Sequence, residues 1–229
     1  MKFSIFPDIS KKDLARYVED SYAEMILKFA IAAEYKDDDT GKHIVRVSDY
    51  STAIARALRM SSHNINILRF ASIMHDIGKV GVPDRILRKK KFNSNDYRVM
   101  KKHTLAGAKI FGGSNSPLLK AAGEIAQSHH EKYNGRGYPL GLKGEEIPIF
   151  GRIVALADSF DAIVSKRVYK KSESFSKAIA KIKRQKGKQF DPKVVDAFLK
   201  ALPRIMEIFV ANKAIDDYVR ENKKMLKKR

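Results

Sequence analysis

His43-Ile44-Val45-Arg46-Val47-Ser48-Asp49-Tyr50-Ser51-Thr52-Ala53-Ile54-Ala55-Arg56-Ala57-Leu58 is the stretch that decides the fold class. Its apolar positions Val47, Tyr50, Ile54 and Ala57/Leu58 recur every three or four residues, the period of one helix face. The same period continues on both sides. Upstream, Ser10 with Asp13 three residues on resembles a capping box and opens a helix towards Lys36. Asp37-Asp38-Asp39-Thr40-Gly41 breaks it. Downstream, Ser61/Ser62 end the quoted segment, and Ile65, Leu68 and Ser72 lead into His75, with Gly78 as a stop. Ser94 is expected to cap a short helix to Lys102, and Thr104–Phe111 to form another turn or two. Ser116-Pro117 and Asp191-Pro192 each place a cap before a proline at the first helical position. Pro148 opens a helix to about Lys166, and Pro203 starts the last one. Between them Asn134–Pro148 is a loop carrying Gly135, Gly137, Gly141 and Gly144. No stretch alternates with period two, so no sheet is expected. The expectation is all-α, a single multi-helix domain with a Gly-rich loop.

Composition narrows the function classes. The chain has 229 residues, 44% of them hydrophobic, which suits a globular domain. It has no Cys, which excludes a disulfide scaffold, a thiolate zinc site and a thiol nucleophile. Apolar runs such as Ile153–Ala157 are far short of the ~18 residues that span a bilayer. Pro7 and Asp8 interrupt the N-terminus before any signal-peptide core can form, so a cytoplasmic protein is expected. The net charge is +20. Ten basic residues and one acid, Glu173, lie between Lys166 and Lys188, and Lys223–Arg229 carries five more basic residues. No aromatic residues interleave this run at base-stacking spacing, so a solvated helix face and tail are expected in preference to nucleic-acid binding.

The histidines carry the chemical signal. There are six: His43, His63, His75, His103, His129 and His130. His75 is followed by Asp76, and His129 by His130. Imidazole and carboxylate ligands suit Mn, Fe or Zn. Adjacent helical residues point about 100° apart, so each pair would serve two neighbouring ions better than one. Asp76 has two oxygens with which to bridge them. A single inward His is most simply a hydrogen-bonded core residue. A His-Asp pair, a His-His pair and Asp158 on an apolar helix together favour a metal site. His63, in a polar run, is expected at the surface.

Several stretches, in order, resemble the HD-GYP phosphodiesterases, a branch of the HD metal hydrolases. They are Asp37–His43, His75-Asp76-Ile77-Gly78-Lys79-Val80-Gly81-Val82-Pro83, His103, His129-His130-Glu131-Lys132-Tyr133-Asn134-Gly135-Arg136-Gly137-Tyr138-Pro139 and Ala157-Asp158-Ser159-Phe160-Asp161-Ala162. Arg167, Tyr169, Lys170 and Phe190-Asp191-Pro192 complete the match, which runs from about residue 30 to 200. The resemblance implies an all-helical enzyme that hydrolyses cyclic di-GMP to linear pGpG, GMP or both. It implies His43, His75, Asp76, His103, His129, His130 and Asp158 as metal ligands. It implies two divalent ions, Fe or Mn first and Zn next. Asp39 stands where some members have Glu and a third ion, or else it caps the following helix. A two-metal site lowers the pKa of a bridging water, which attacks the phosphodiester as hydroxide while the ions clamp the phosphate oxygens. Asp76 is the expected bridge, and Lys79 the cation beside the phosphate. Tyr138, Arg167 and Lys170 fall at substrate-pocket positions, with Tyr138 equally open to a structural role. Asp161 is expected to orient a ligand His or Lys79. Glu131 is open between a salt bridge and a functional role, and the loop glycines between nucleotide approach and tight turns.

The implied division is 1–36 as an N-terminal helix, 37–203 as the catalytic domain and 204–229 as a C-terminal helix with a basic tail. Leu14, Tyr17, Val18, Tyr22, Met25, Ile26 and Phe29 make the first helix amphipathic and a candidate homodimer element. The family often carries a receiver or sensory domain ahead of the catalytic one. Here the match leaves one helix before it, so the expectation is a stand-alone enzyme or an excised portion of a regulator, with a signalling partner supplying input. Two other functions stay open. One is an HD-type phosphohydrolase acting on another nucleotide. The other is a catalytically weak nucleotide sensor.

Overall fold

The computed structural model describes residues 10–34, 41–89, 91–165 and 174–212. Its elements are α1 (Lys11–Glu34), α2 (Lys42–Ala57), α3 (Ser62–Ser72), α4 (Asp84–Leu87), α5 (Ser94–Phe111), α6 (Pro117–Ser128), α7 (Ile149–Val164), α8 (Phe175–Arg184), α9 (Pro192–Lys200) and α10 (202–212). A 3-10 turn, Ile77–Gly81, lies between α3 and α4. Two isolated bridges, Asn134 with Lys143 and Lys186 with Phe190, are the only β pairing among the described residues. The all-α expectation holds. No described helix is long and apolar enough to cross a membrane.

The core follows from the helical stripe quoted above. Val47, Tyr50 and Ile54 of α2 are fully buried, against Ile153, Leu156 and Phe160 of α7. Phe160 is the hub. Tyr50, Phe198 and Phe175 approach its ring edge-on at centroid distances of 5.2, 5.1 and 5.5 Å, an arrangement aromatic quadrupoles favour. One continuous apolar cluster runs from Ala30 of α1 to Ile208 of α10. It leaves α2, α5, α6 and α7 fixed side by side, with the α3 end and its 3-10 turn packed on α5 and α6. Those are the elements that carry the histidines.

Several boundaries differ from expectation. Ser61 begins α3 instead of ending α2, because its hydroxyl accepts the Asn64 amide at 3.2 Å. The helix α3 ends at Ser72, so His75 and Asp76 emerge from a turn. Gly78 is not a stop. It lies inside the 3-10 turn against α5. The two short helices expected over 94–111 are one, capped by Asn93 with a full capping box to Asp96. Thr104, where the second of them was expected to begin, lies in mid-helix with its Oγ1 donating to the Lys101 carbonyl at 2.9 Å. In α1, Ala30 and Ala33 are buried and Ile26 and Leu27 pack on the core, whereas Tyr17, Val18, Tyr22, Met25 and Phe29 are exposed. In α8 and just beyond, Lys177, Lys183, Arg184, Lys186 and Lys188 are exposed and Lys181 is half-buried.

Candidate metal centre

Five elements converge on one buried place. His43 lies in the first turn of α2, His75 and Asp76 in the turn after α3, and His103 mid-way along α5. His129 and His130 follow the last residue of α6, and Asp158 lies on α7. Their side chains form two groups. Asp76, His103, His129 and His130 offer donor atoms within 4.8 Å of one another, and so do His43, His75 and Asp158; the adjacent pair His75-Asp76 is split between the groups as expected, but His129 and His130, just past the end of α6, fall in the same one. His63 is exposed and apart from both.

Asp76 links the groups. Its Oδ1 lies 3.3 Å from His103 Nε2 and 3.5 Å from His129 Nε2. Its Oδ2 lies 3.3 Å from His75 Nε2 and 2.9 Å from Lys79 Nζ. On the other side, His43 Nε2 is 3.3 Å from Asp158 Oδ1.

The hydrogen bonds define which imidazole nitrogens carry protons. His75 Nδ1 sits 2.9 Å from the Ser72 carbonyl, His103 Nδ1 2.7 Å from that of Met100, and His129 Nδ1 3.0 Å from that of Ile125. A carbonyl only accepts, so each Nδ1 donates. In the neutral ring Nε2 is then a bare lone pair. The Nε2 atoms of His75, His103 and His129, with Asp76 Oδ1, are buried and without a hydrogen-bond partner. Each such orphan costs about 1–3 kcal/mol. Four orphaned acceptors aimed at one space are the donor set that divalent cations satisfy, and N/O ligands fit Fe, Mn or Zn.

The electrostatics divide along the same line. Burial pulls His43 down, but Asp158 and Asp161 outweigh it and raise the group to about 10. His75 is likewise raised, burial being overcome by Asp76 and Asp158. Burial would raise Asp158 and Asp76, yet the neighbouring His43 and, at Asp76, Lys79 and His75 hold both below the usual carboxylate range. In the other group burial dominates and lowers His103 and His130.

Around this core, Asp161 accepts the Nδ1–H of His43 at 2.8 Å, so it meets a ligand-type His and not Lys79. Tyr138 stacks on His130 at 4.7 Å between centroids, with Lys101 Nζ 4.9 Å from the Tyr138 ring centre. Burial, then Asp76 and Asp158, push the Tyr138 hydroxyl upward, so it stays protonated. Glu131 makes no salt bridge among the described residues. It is buried, and its Oε1 accepts the amides of Leu140 and Gly141 at 2.7 and 3.0 Å, bracing the loop. Gly137 serves close approach to protein, not nucleotide, since a Cβ there would collide with the backbone of Glu131 and Lys132. Asp39, Arg167 and Lys170 lie outside the described residues. Sequence reasoning passed over Arg46 and Lys101. The signal for Arg46 was its place one turn after His43; Lys101 had none.

Residues 29–194 match the model of the family described as HD domain. This chain belongs to the HD domain family. Among its HD relatives, a "Cyclic di-GMP phosphodiesterase" of Thermotoga maritima is 43% identical over 199 residues, 86% of this chain and 54% of that protein. A "3'3'-cGAMP-specific phosphodiesterase 2" of Vibrio cholerae is 39% identical over 177 residues, 77% of this chain and 34% of the relative. The chain thus spans about half or less of the length of these relatives. The same HD fold is found in a solved cyclic GMP-AMP phosphodiesterase of V. cholerae, with a TM-score of 0.60 and 22% identity over 80% of this chain and 50% of that one. The HD-GYP kinship expected from the motifs holds.

Proposed function

We propose that this chain is a divalent-metal-dependent phosphodiesterase that hydrolyses cyclic di-GMP to linear pGpG, GMP or both. The observation that carries it is the pair of buried ligand groups linked through Asp76, with the Nε2 atoms of His75, His103 and His129 orphaned towards one space. His43, His75 and Asp158 would hold one ion, His103, His129 and His130 the other, and Asp76 both. Fe and Mn are the preferred ions and Zn the next. When bound, they would supply Lewis acidity for water activation and charge for the phosphate oxygens.

The chain's own residues do the rest. Lys79, on Asp76 Oδ2 and only partly exposed, brings fixed positive charge to the rim where the phosphodiester would lie. Tyr138, with its face on His130, is positioned to stack or hydrogen-bond a base at that rim. Arg167 and Lys170 are proposed substrate contacts and Asp39 a ligand to a third ion, on the motif match alone. A cytoplasmic site of action is part of the proposal. The similarity to a 3'3'-cGAMP-specific relative favours a second reading, in which the substrate is that mixed dinucleotide.

The test is anaerobic incubation with Mn²⁺ or Fe²⁺ and each dinucleotide separately, with products resolved by chromatography. The expected result is a linear dinucleotide or GMP from cyclic di-GMP, and loss of turnover in Asp76→Ala and His129→Ala. Faster turnover of 3'3'-cGAMP would install the second reading. Full activity in Asp76→Ala would overturn the site.

A further inference from the structure

Arg46 lies on α2 one turn after His43, with its side chain only 11% exposed. Its guanidinium forks onto Asp161, Nε donating to Oδ1 at 2.6 Å and Nη2 to Oδ2 at 2.9 Å. The same Oδ2 accepts the Nδ1–H of His43 at 2.8 Å. Asp161 follows Asp158 by one turn of α7. Two helices therefore face each other through two one-turn pairs, His43/Arg46 and Asp158/Asp161.

This support differs from that of the other imidazoles. His75, His103 and His129 rest Nδ1 on backbone carbonyls of their own turns, which the helices fix. His43 rests on a side-chain carboxylate. A carboxylate turns about two bonds, and only a forked partner fixes both oxygens at once.

We propose that Arg46 is a positioning residue for one ion position, that of His43, His75 and Asp158, and not for the other. It acts through Asp161: the fork holds the carboxylate, the carboxylate holds the His43 ring, and the ring aims Nε2 beside Asp158. Asp76, His103, His129 and His130 have no side chain in that clamp. The proposal rests on the two-ion reading above.

The experiment titrates the full chain and its Arg46→Met and Arg46→Lys variants with Mn²⁺ by calorimetry, with bound metal counted by elemental analysis. Neither readout depends on turnover. A His129→Ala variant identifies which binding step belongs to the other group. The parent is expected to bind two ions. Arg46→Met is expected to weaken the His43 step by about 10–100-fold, the usual effect of losing a partner behind a ligand His, and to leave the other step unchanged. Arg46→Lys keeps the charge but not the fork, so it weakens the same step by less. It also decides the matter if Arg46→Met does not fold. Equal weakening of both steps, or parent-like binding in Arg46→Lys, overturns the role of Arg46 alone. A parent that binds fewer than two ions overturns the two-ion reading and this proposal with it.

Discussion

At Gly78 the 3-10 turn lies so close to α5 that a Cβ would collide with the His103 carbonyl oxygen and the Gly107 amide. Both colliding groups are backbone in mid-helix, so neither can rotate away. The turn must then lift, and it carries Lys79 and follows Asp76 directly. Gly78→Ala is expected to cost about 1–3 kcal/mol, as overpacking does, and to weaken metal binding along with stability. Thermal melts with and without Mn²⁺ check it; unchanged melting in both would show that the turn has slack. Gly78 also marks the limit of what single residues disclose in the sequence. His and Asp at the centre were legible because those types are rare on apolar helix faces and costly there unless paired. Gly78 read as a helix stop, because a glycine that permits close packing looks like one that permits a turn. Glu131 read as a charge for the same kind of reason: its work is on two loop amides nine and ten residues away, which no local pattern encodes.

Among the elements, α5 shows how a boundary is set by more than period. Its N-terminus is held by a reciprocal pair, Asn93 Oδ1 accepting the Asp96 amide and Asp96 Oδ2 accepting the Asn93 amide, both at 2.9 Å. Asn93→Ala is expected to cost about 1 kcal/mol in chemical denaturation. The carboxylate adds a pH dependence with a definite sign. The hydrogen bond from Lys89, then that from the Asn93 backbone, hold Asp96 below its ordinary value. A group depressed in the folded state contributes stability above its unfolded pKa, roughly pH 4, and loses it as pH falls through the folded value. The stability gap between the parent and Asp96→Asn is therefore expected at pH 7 and should narrow on acidification towards pH 3. A gap that widens on acidification would mean that the amide fails for another reason. The sequence showed that helices exist and that Ser116-Pro117 and Asp191-Pro192 open two of them, because those signals are local. It misplaced the starts of α3 and α5, where the deciding side chains are the caps Ser61 and Asn93, the latter one residue before the expected Ser94.

For the molecule as a whole, the question is how much of the fold depends on the proposed ions. The apolar cluster is continuous from α1 to α10 and includes large, fully buried side chains on α2, α3, α6, α7, α8 and α9. That core closes without reference to the metal centre, so the stripped chain is expected to fold and melt cooperatively. The centre nevertheless leaves buried lone pairs and two carboxylates facing one space. An ion that binds the folded chain alone stabilises it by mass action, about 2.7 kcal/mol at a hundred times its Kd. For a domain of this size each kcal/mol moves the midpoint by roughly 2–4 °C, so one ion at that level adds about 5–10 °C. Differential scanning calorimetry of chelated and Mn²⁺-loaded protein measures this directly. A cooperative transition in both, higher when loaded, is the expected pair of traces. A stripped chain without any cooperative transition would mean that the ions hold the helix ends together. Identical midpoints would mean that the two groups bind no ion in the folded state, and the proposed chemistry would go with them.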